Sequence, residues 1–335
     1  MGIDLPLLWA IIIGFGLMMY VIMDGFDLGI GILFPFVKGR EDRDVMVNSV
    51  APVWDGNETW LVLGGAGLLA AFPLAYATIL SALYFPLILM LAGLIWRGVA
   101  FEFRFKADEA HRPFWDKAFA WGSYIATFFQ GVALGAFING FPMENGVYTG
   151  GALAFLTPFS LFTGAALLVA YALLGTTWLV MKTEGGLQDR MRQLGRPITL
   201  ALLGAIALVS LWTPLAHPDV AERWFTLPDL IFFLPVPLLV LLAVFLLLKT
   251  LAGKSHAAPF ILSLFLLFVG YSGLAISLWP NIIPPGVSIW QAAAPPESLG
   301  FALVGALFII PFILAYTAWS YYVFRGKVRA GEGYH

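Results

Sequence analysis

The chain has no cysteine, only four histidines, and so little charge that Asp, Glu, Lys and Arg make up just 11% of its 335 residues. Without thiols there are no disulfides, thiolate metal sites, iron–sulfur clusters or thiol catalysis. Neither sign of charge is in marked excess: the net charge is −2, and the few basic residues are dispersed among short loops, which excludes a nucleic-acid-binding face. A Gly-rich phosphate loop, zinc-protease spacing and a nucleophile elbow are also missing, so soluble hydrolase and nucleotide chemistry have no foothold. What remains is 60% hydrophobic. That is more apolar surface than one water-soluble core of this size hides, and lipid is the natural solvent for most of it.

The first residues, MGIDLPLL, carry Asp4 where the basic region of a signal peptide belongs, and no small-residue cleavage site follows the apolar run. They read as a retained first span; Met1-Gly2 opens no myristoylation signal, because Pro6 stands where Ser or Thr is required. Windows of roughly 20 apolar residues place spans near Leu5–Phe34, Phe114–Phe141, Gly151–Met181, Pro197–Trp212, Leu230–Lys249, Pro259–Trp279 and Leu299–Phe324. The run Trp60–Ala100 is too long for one crossing and is divided into two at Phe72-Pro73, where proline removes a ladder donor and restricts its predecessor. This makes nine spans in a single polytopic domain covering residues 1–335. Seventeen of the 18 lysines and arginines then follow odd-numbered spans, and only Arg223 follows an even one. A missed or extra span would scramble that bias. Basic loops stay in the cytoplasm, so the N-terminus is expected outside and the C-terminus inside. Trp279 and the Trp319, Tyr321, Tyr322 group fit interfacial belts, while Gly25/Gly29 and Gly131/Gly135 predict close helix approaches.

A carboxylate inside a span is expensive and marks function by default. Asp24 and Asp27 lie in the first span, in MDGFDLGIG. Their i,i+3 spacing puts them on one face, with Tyr20 a turn earlier. Two carboxylates so close repel when both are ionised, so one is expected to take up and pass on a proton. The bland reading is that the helix ends near Asp24 and the pair faces inner-leaflet headgroups or a basic loop. A second pair, Asp55 and Glu58 in VWDGNETW, opens the second span. It reads either as a capping box, with Asp55 at N-cap and Glu58 at N3, or as a proton entrance leading toward the first pair; the two roles are compatible.

Histidines 111, 217, 256 and 335 all fall in expected loops or at the terminus, and none is placed mid-span where a haem iron needs an imidazole. Met18, Met19, Met23 and Met90 lie within spans, but a lone methionine there is usually packing. The chain is therefore expected to bind no haem or metal through its own side chains. Gln130, near the middle of its span, needs a partner for its amide, either across helices or in a quinone. Glu102 stands among Arg97, Arg104 and Lys106 and reads as part of a neutralised juxtamembrane cluster.

The segments DGFDLGIG, NSVAPVWDGNETWLV, WRGVAFEFR and YTAWSYYVFRGKV resemble subunit II of the cytochrome bd family of quinol oxidases. The likeness runs the length of the chain, with WDGNETW its most specific part, and the short later connections resemble the cyanide-insensitive branch. The resemblance implies an all-α membrane fold of two four-helix bundles plus a peripheral helix, in the bacterial inner membrane. It also implies a heterodimer: subunit I carries two b-type haems, haem d and the quinol site, while subunit II is haem-free and inactive alone. The complex of the family passes electrons from quinol to oxygen, forms water and builds a proton gradient in aerobic respiration. Some members hold a structural quinone in subunit II, so ubiquinone and small accessory subunits are further partners that the resemblance allows. The family uses the acid matching Asp55 in a proton path, in which the acids matching Asp24 and Asp27, and Glu58 beside them, are plausible members. Two rival readings are a proton-coupled secondary transporter, which calls for acids in two repeated halves, and a purely structural assembly subunit.

Overall fold

A computed structural model describes residues 3–144 and 146–331; Met1-Gly2 and His335 lie outside the described residues. Helix α1 (Leu5–Leu33) starts where Asp4 accepts a hydrogen bond from the Leu7 amide at 3.0 Å, with Pro6 in the first turn. It ends in a 3-10 turn at Phe34–Phe36, followed by the short amphipathic α2 (Arg40–Asn48). Helix α3 (Trp54–Ala71) stops at Phe72 because Pro73 follows, and Pro73 is the first residue of α4 (Pro73–Lys106). Then come α5 (Arg112–Asn139), the hairpin β1 (Met143–Glu144) and β2 (Val147–Tyr148), α6 (Pro158–Lys182) and α7 (Gly185–Ala216). The short α8 (Pro218–Phe225) and α9 (Asp229–Phe233) lead into α10 (Pro235–Ala252) and α11 (Ala258–Leu278). A second hairpin, β3 (Asn281–Ile283) with β4 (Val287–Ser288), precedes α12 (Ile289–Ala292) and the last long helix, α13 (Pro296–Val323).

Among the described residues, eight helical segments are long and apolar enough to cross a membrane. The ninth expected span is α3, whose 18 residues include the polar stretch Asp55–Glu58 and so fall short by composition. Every expected span has its helix. The largest departure is α7, which begins at Gly185 and carries Pro197 in its interior, whereas the sequence suggested a start at that proline.

Helices α1, α3, α4 and α5 contact one another in a closed ring, and α6, α7, α10 and α11 form a second. Helix α13 lies outside both, touching α3 and α1. The two rings join where α6 packs on α1 and α5. Glycine makes that seam possible: a Cβ on Gly29 would lie 2.0 Å from the Tyr171 carbonyl oxygen, and one on Gly131 would lie 2.6 Å from that of Thr163. The residues of α1 from Met23 to Leu33 are consequently all buried, within a core that also takes in Trp60, Phe101, Phe119, Tyr171 and Leu247. A smaller core, with Trp9, Phe72, Phe141 and Leu299, occupies the other end. Arg223, the exception to the charge bias, donates to the carbonyls of Ile276, at 2.8 Å, and Trp279, thereby capping the end of α11.

Candidate functional site

The buried second half of α1 carries Asp24 and Asp27, which are 1% and 0% exposed. The alternative of a pair facing headgroups is thereby overturned: the glycine seam draws this end of α1 into the protein. On α4, the stripe Met90, Gly93, Arg97, Phe101 and Arg104 is buried, which aims the Arg97 guanidinium at the α1 acids. Its Nη2 donates to Asp24 Oδ1 at 3.0 Å and to Glu58 Oε1 at 2.6 Å. The Arg97 side chain is 1% exposed and that of Glu58 29%. The Trp54 ring lies 5.8 Å from the guanidinium carbon, a cation–π contact that shields one face.

Asp27 is held from a different direction. Asn57, one turn into α3 and buried, donates from Nδ2 to Asp27 Oδ2 at 2.7 Å and to the Met23 carbonyl at 3.3 Å. Its Oδ1 in turn accepts from the Tyr321 hydroxyl of α13 at 2.8 Å. The peripheral helix is thus tied to the buried acids through one amide.

The four acids expected to act together are only partly assembled in one place. Asp24, Asp27 and Glu58 converge around Arg97 and Asn57, whereas Asp55 is exposed at the start of α3. The capping box is not formed. Val53 is the N-cap residue, so Asp55 stands in the first turn, and Glu58 is turned inward to Arg97. Asp55 still favours the helix by its charge near the N-terminus. The cluster expected around Glu102 is also rearranged: Glu102 is exposed, Arg97 serves Asp24 and Glu58, and Arg104 pairs with Asp44 at 2.8 Å and Asp116 at 2.7 Å. The sequence reading gave Arg97 to a juxtamembrane cluster and Tyr321 to an interfacial belt, and it passed over Asn57. For Arg97 a signal existed, since it lies on the same i,i+3/i+4 stripe as Met90, Gly93 and Arg104. Asn57 and Tyr321 become visible only through tertiary contact.

His111 lies at the exposed start of α5, where its backbone N–H and ring hold Asp108 and keep that carboxyl below its ordinary range. His217 joins α7 to α8, and His256 meets Gln188 Nε2 at 2.9 Å before α11. Among the described residues no three His, Cys, Asp or Glu side chains are grouped to hold a metal ion. The site's chemistry is that of carboxylates gathered about one permanent cation.

Fold and site together define a polytopic helical membrane protein with a buried ionic centre. The chain belongs to the family described as cytochrome bd terminal oxidase subunit II, whose model matches residues 5–324, and it is therefore a subunit of an oxidoreductase complex. It is 31% identical to cytochrome bd-I ubiquinol oxidase subunit 2 of Escherichia coli (strain K12), over 97% of this chain and 95% of that protein. It is 29% identical to cytochrome bd ubiquinol oxidase subunit 2 of Bacillus subtilis (strain 168), over 97% of each. Its fold matches a chain of the bd oxidase from Geobacillus thermodenitrificans with a TM-score of 0.80 at 19% identity, covering 96% of this chain and 97% of that one.

Proposed function

We propose that this chain is the haem-free subunit of a bacterial quinol:oxygen oxidoreductase and that it carries protons from the cytoplasmic face toward a haem-bearing subunit I. Electron transfer to oxygen belongs, on this reading, to two haems b and a haem d in that partner. The quinol site lies there too, and small accessory subunits and membrane lipid complete the surroundings. The charge bias supports an outside N-terminus, which puts Asp55 and the basic helix ends in the cytoplasm.

One observation carries the proposal: the Glu58–Arg97–Asp24 chain of contacts, at 2.6 and 3.0 Å, runs inward from a helix start marked by exposed Asp55. Asp55 and Glu58 are one turn apart on α3, so a proton received at the surface reaches Glu58, alone or with intervening water. Arg97 stays cationic and does not relay. Its part is to hold two carboxylates and fix the charge of the cluster. Three carboxylates with one cation exceed what that cation neutralises, and ionised carboxylates are costly to bury. The cluster is therefore suited to hold a proton and give it up. Asn57 and Tyr321 keep Asp27 oriented beside it.

A secondary transporter is disfavoured, because the second ring has no buried acid among the described residues to match Asp24 and Asp27. The assembly-only reading is separated by Asp55→Asn. A proton entrance predicts slowed oxygen consumption with normal haem content in the purified complex. A structural role predicts that haem content and assembly fall together.

A further inference from the structure

Helix α13 packs weakly along most of its length. Of its 28 residues only Leu299 and Leu303, both near its N-terminal end, are buried, and inside lipid an apolar face supplies little drive to dock. Its C-terminal end nevertheless meets the ionic centre at one atom, where the Tyr321 hydroxyl donates to Asn57 Oδ1 at 2.8 Å. That bond decides which way the Asn57 amide faces. With Oδ1 engaged by Tyr321, Nδ2 is directed at Asp27 Oδ2 and the Met23 carbonyl; the reversed amide would set an oxygen against a carboxylate and a carbonyl.

The residues that follow α13 supply the hold that the helix lacks. Lys182, the last residue of α6 and buried, donates to the Phe324 carbonyl. The Val328 N–H donates back to the Lys182 carbonyl at 2.8 Å, and Lys327 Nζ donates to that of Thr183 at 2.6 Å. Arg329 pairs with Glu184 at 2.9 Å, and the Val328 side chain packs against the main core. Carbonyls at a helix C-terminus have no partner within the helix, so this segment caps α6 while it pins α13. One turn before Lys182, Trp178 stacks on Phe26 at 4.2 Å and stands edge-on to the Tyr321 ring at 6.3 Å. Tyr321 is thus gripped by rings from α1 and α6 and by the segment beyond it.

We propose that residues 324–329 form a strap fastening the end of α13 to the α6–α7 turn, and that Tyr321, held there, is a positioning residue for Asp27 acting through the Asn57 amide. The second ring thereby reaches the ionic centre, although it contributes no buried acid among the described residues. Tyr321 and Asn57 supply no proton of their own; they fix the direction from which Asp27 is hydrogen-bonded, and a bond donated to a carboxylate alters its proton affinity. This inference deepens the proton-route reading and rests on it for any effect on turnover, whereas the strap itself does not depend on it.

The test uses the whole purified complex with the chain cut after Phe324, with Tyr321→Phe, which keeps the ring against Phe26 and Trp178, and with both changes together. Truncation is expected to speed hydrogen exchange at the C-terminal end of α13 and to shift the pH profile of oxygen consumption at normal haem content. Tyr321→Phe should shift the profile in the same direction, and the double variant should move it no further than the larger single shift. Should the truncated chain fail to assemble, Lys182→Met, which removes the bond to the Phe324 carbonyl, takes its place. Native exchange at the end of α13 in the strap variant overturns the strap. Additive shifts, or a profile unmoved by Tyr321→Phe while Asp27→Asn moves it, overturn the positioning role. A profile unmoved by Asp27→Asn as well sinks the proton route through Asp27, and fast exchange in the strap variant then still upholds the strap.

Discussion

Arg97 is the residue on which the site turns. It is the cation shared by Asp24 and Glu58, and its removal leaves Asp24 buried and ionised without compensation. Breaking a buried pair in this way costs on the order of 3–5 kcal/mol. Arg97→Met is therefore expected to lower the melting temperature of the detergent-solubilised complex, and adding Asp24→Asn should restore part of the loss. A double variant no more stable than Arg97→Met would show that the two residues are not coupled. At the surface, Asp108 gives a pH signature. Bonds from His111 depress its folded-state titration, so its stabilisation of the α4–α5 turn is present above the unfolded value of about 3.9 and fades as pH falls through the lower folded value. The exchange protection of that turn, taken relative to the intrinsic rate at each pH, should fall on acidification in the native chain. In Asp108→Ala it should already be low at neutral pH, with no such transition. The acids of the site were legible in the sequence because carboxylates stand out in apolar runs. Arg97 was not, because its proximity to Arg104 and Lys106 suggested a helix end, whereas α4 continues to Lys106.

The helix seams rest on shape more than on hydrophobic drive, which is weak inside lipid. Gly29 is the clearest case, since any side chain there meets the Tyr171 backbone. Gly29→Ala is expected to cost about 1–3 kcal/mol by overpacking and to reduce the yield of assembled complex. Gly65→Ala, which meets nothing within 4 Å, should be silent in the same assay of haem per milligram of membrane protein; equal yields would refute a packing role for the seam. Small residues four apart announced this seam, and the Phe72-Pro73 step announced the α3–α4 break. The capping box was misjudged, because S/T/D-x-x-E patterns do not reveal that a helix starts two residues earlier, at Trp54 with Val53 as its N-cap. Nor does hydropathy show how far a helix projects past the lipid: α4 has 34 residues, roughly 50 Å at 1.5 Å per residue, against a hydrocarbon core of about 30 Å.

Across the whole molecule, nearly all basic residues gather at one end of the bundles, where α1, α4, α6, α10 and α13 finish. A fluorescent reporter fused after Arg329 should light up on the cytoplasmic side, while an alkaline phosphatase fused there stays inactive; the opposite pattern would invert the orientation and strand Asp55 outside. The two rings also divide the labour. The first holds the buried acids, and the second, free of buried acids among the described residues, builds the seam that seals them. The most direct test follows proton uptake from the cytoplasmic side during oxygen reduction by vesicle-embedded complex carrying Asp24→Asn. Slowed uptake and slowed turnover with unchanged haem content are expected. Uptake at the native rate in that variant would contradict a proton path through this chain.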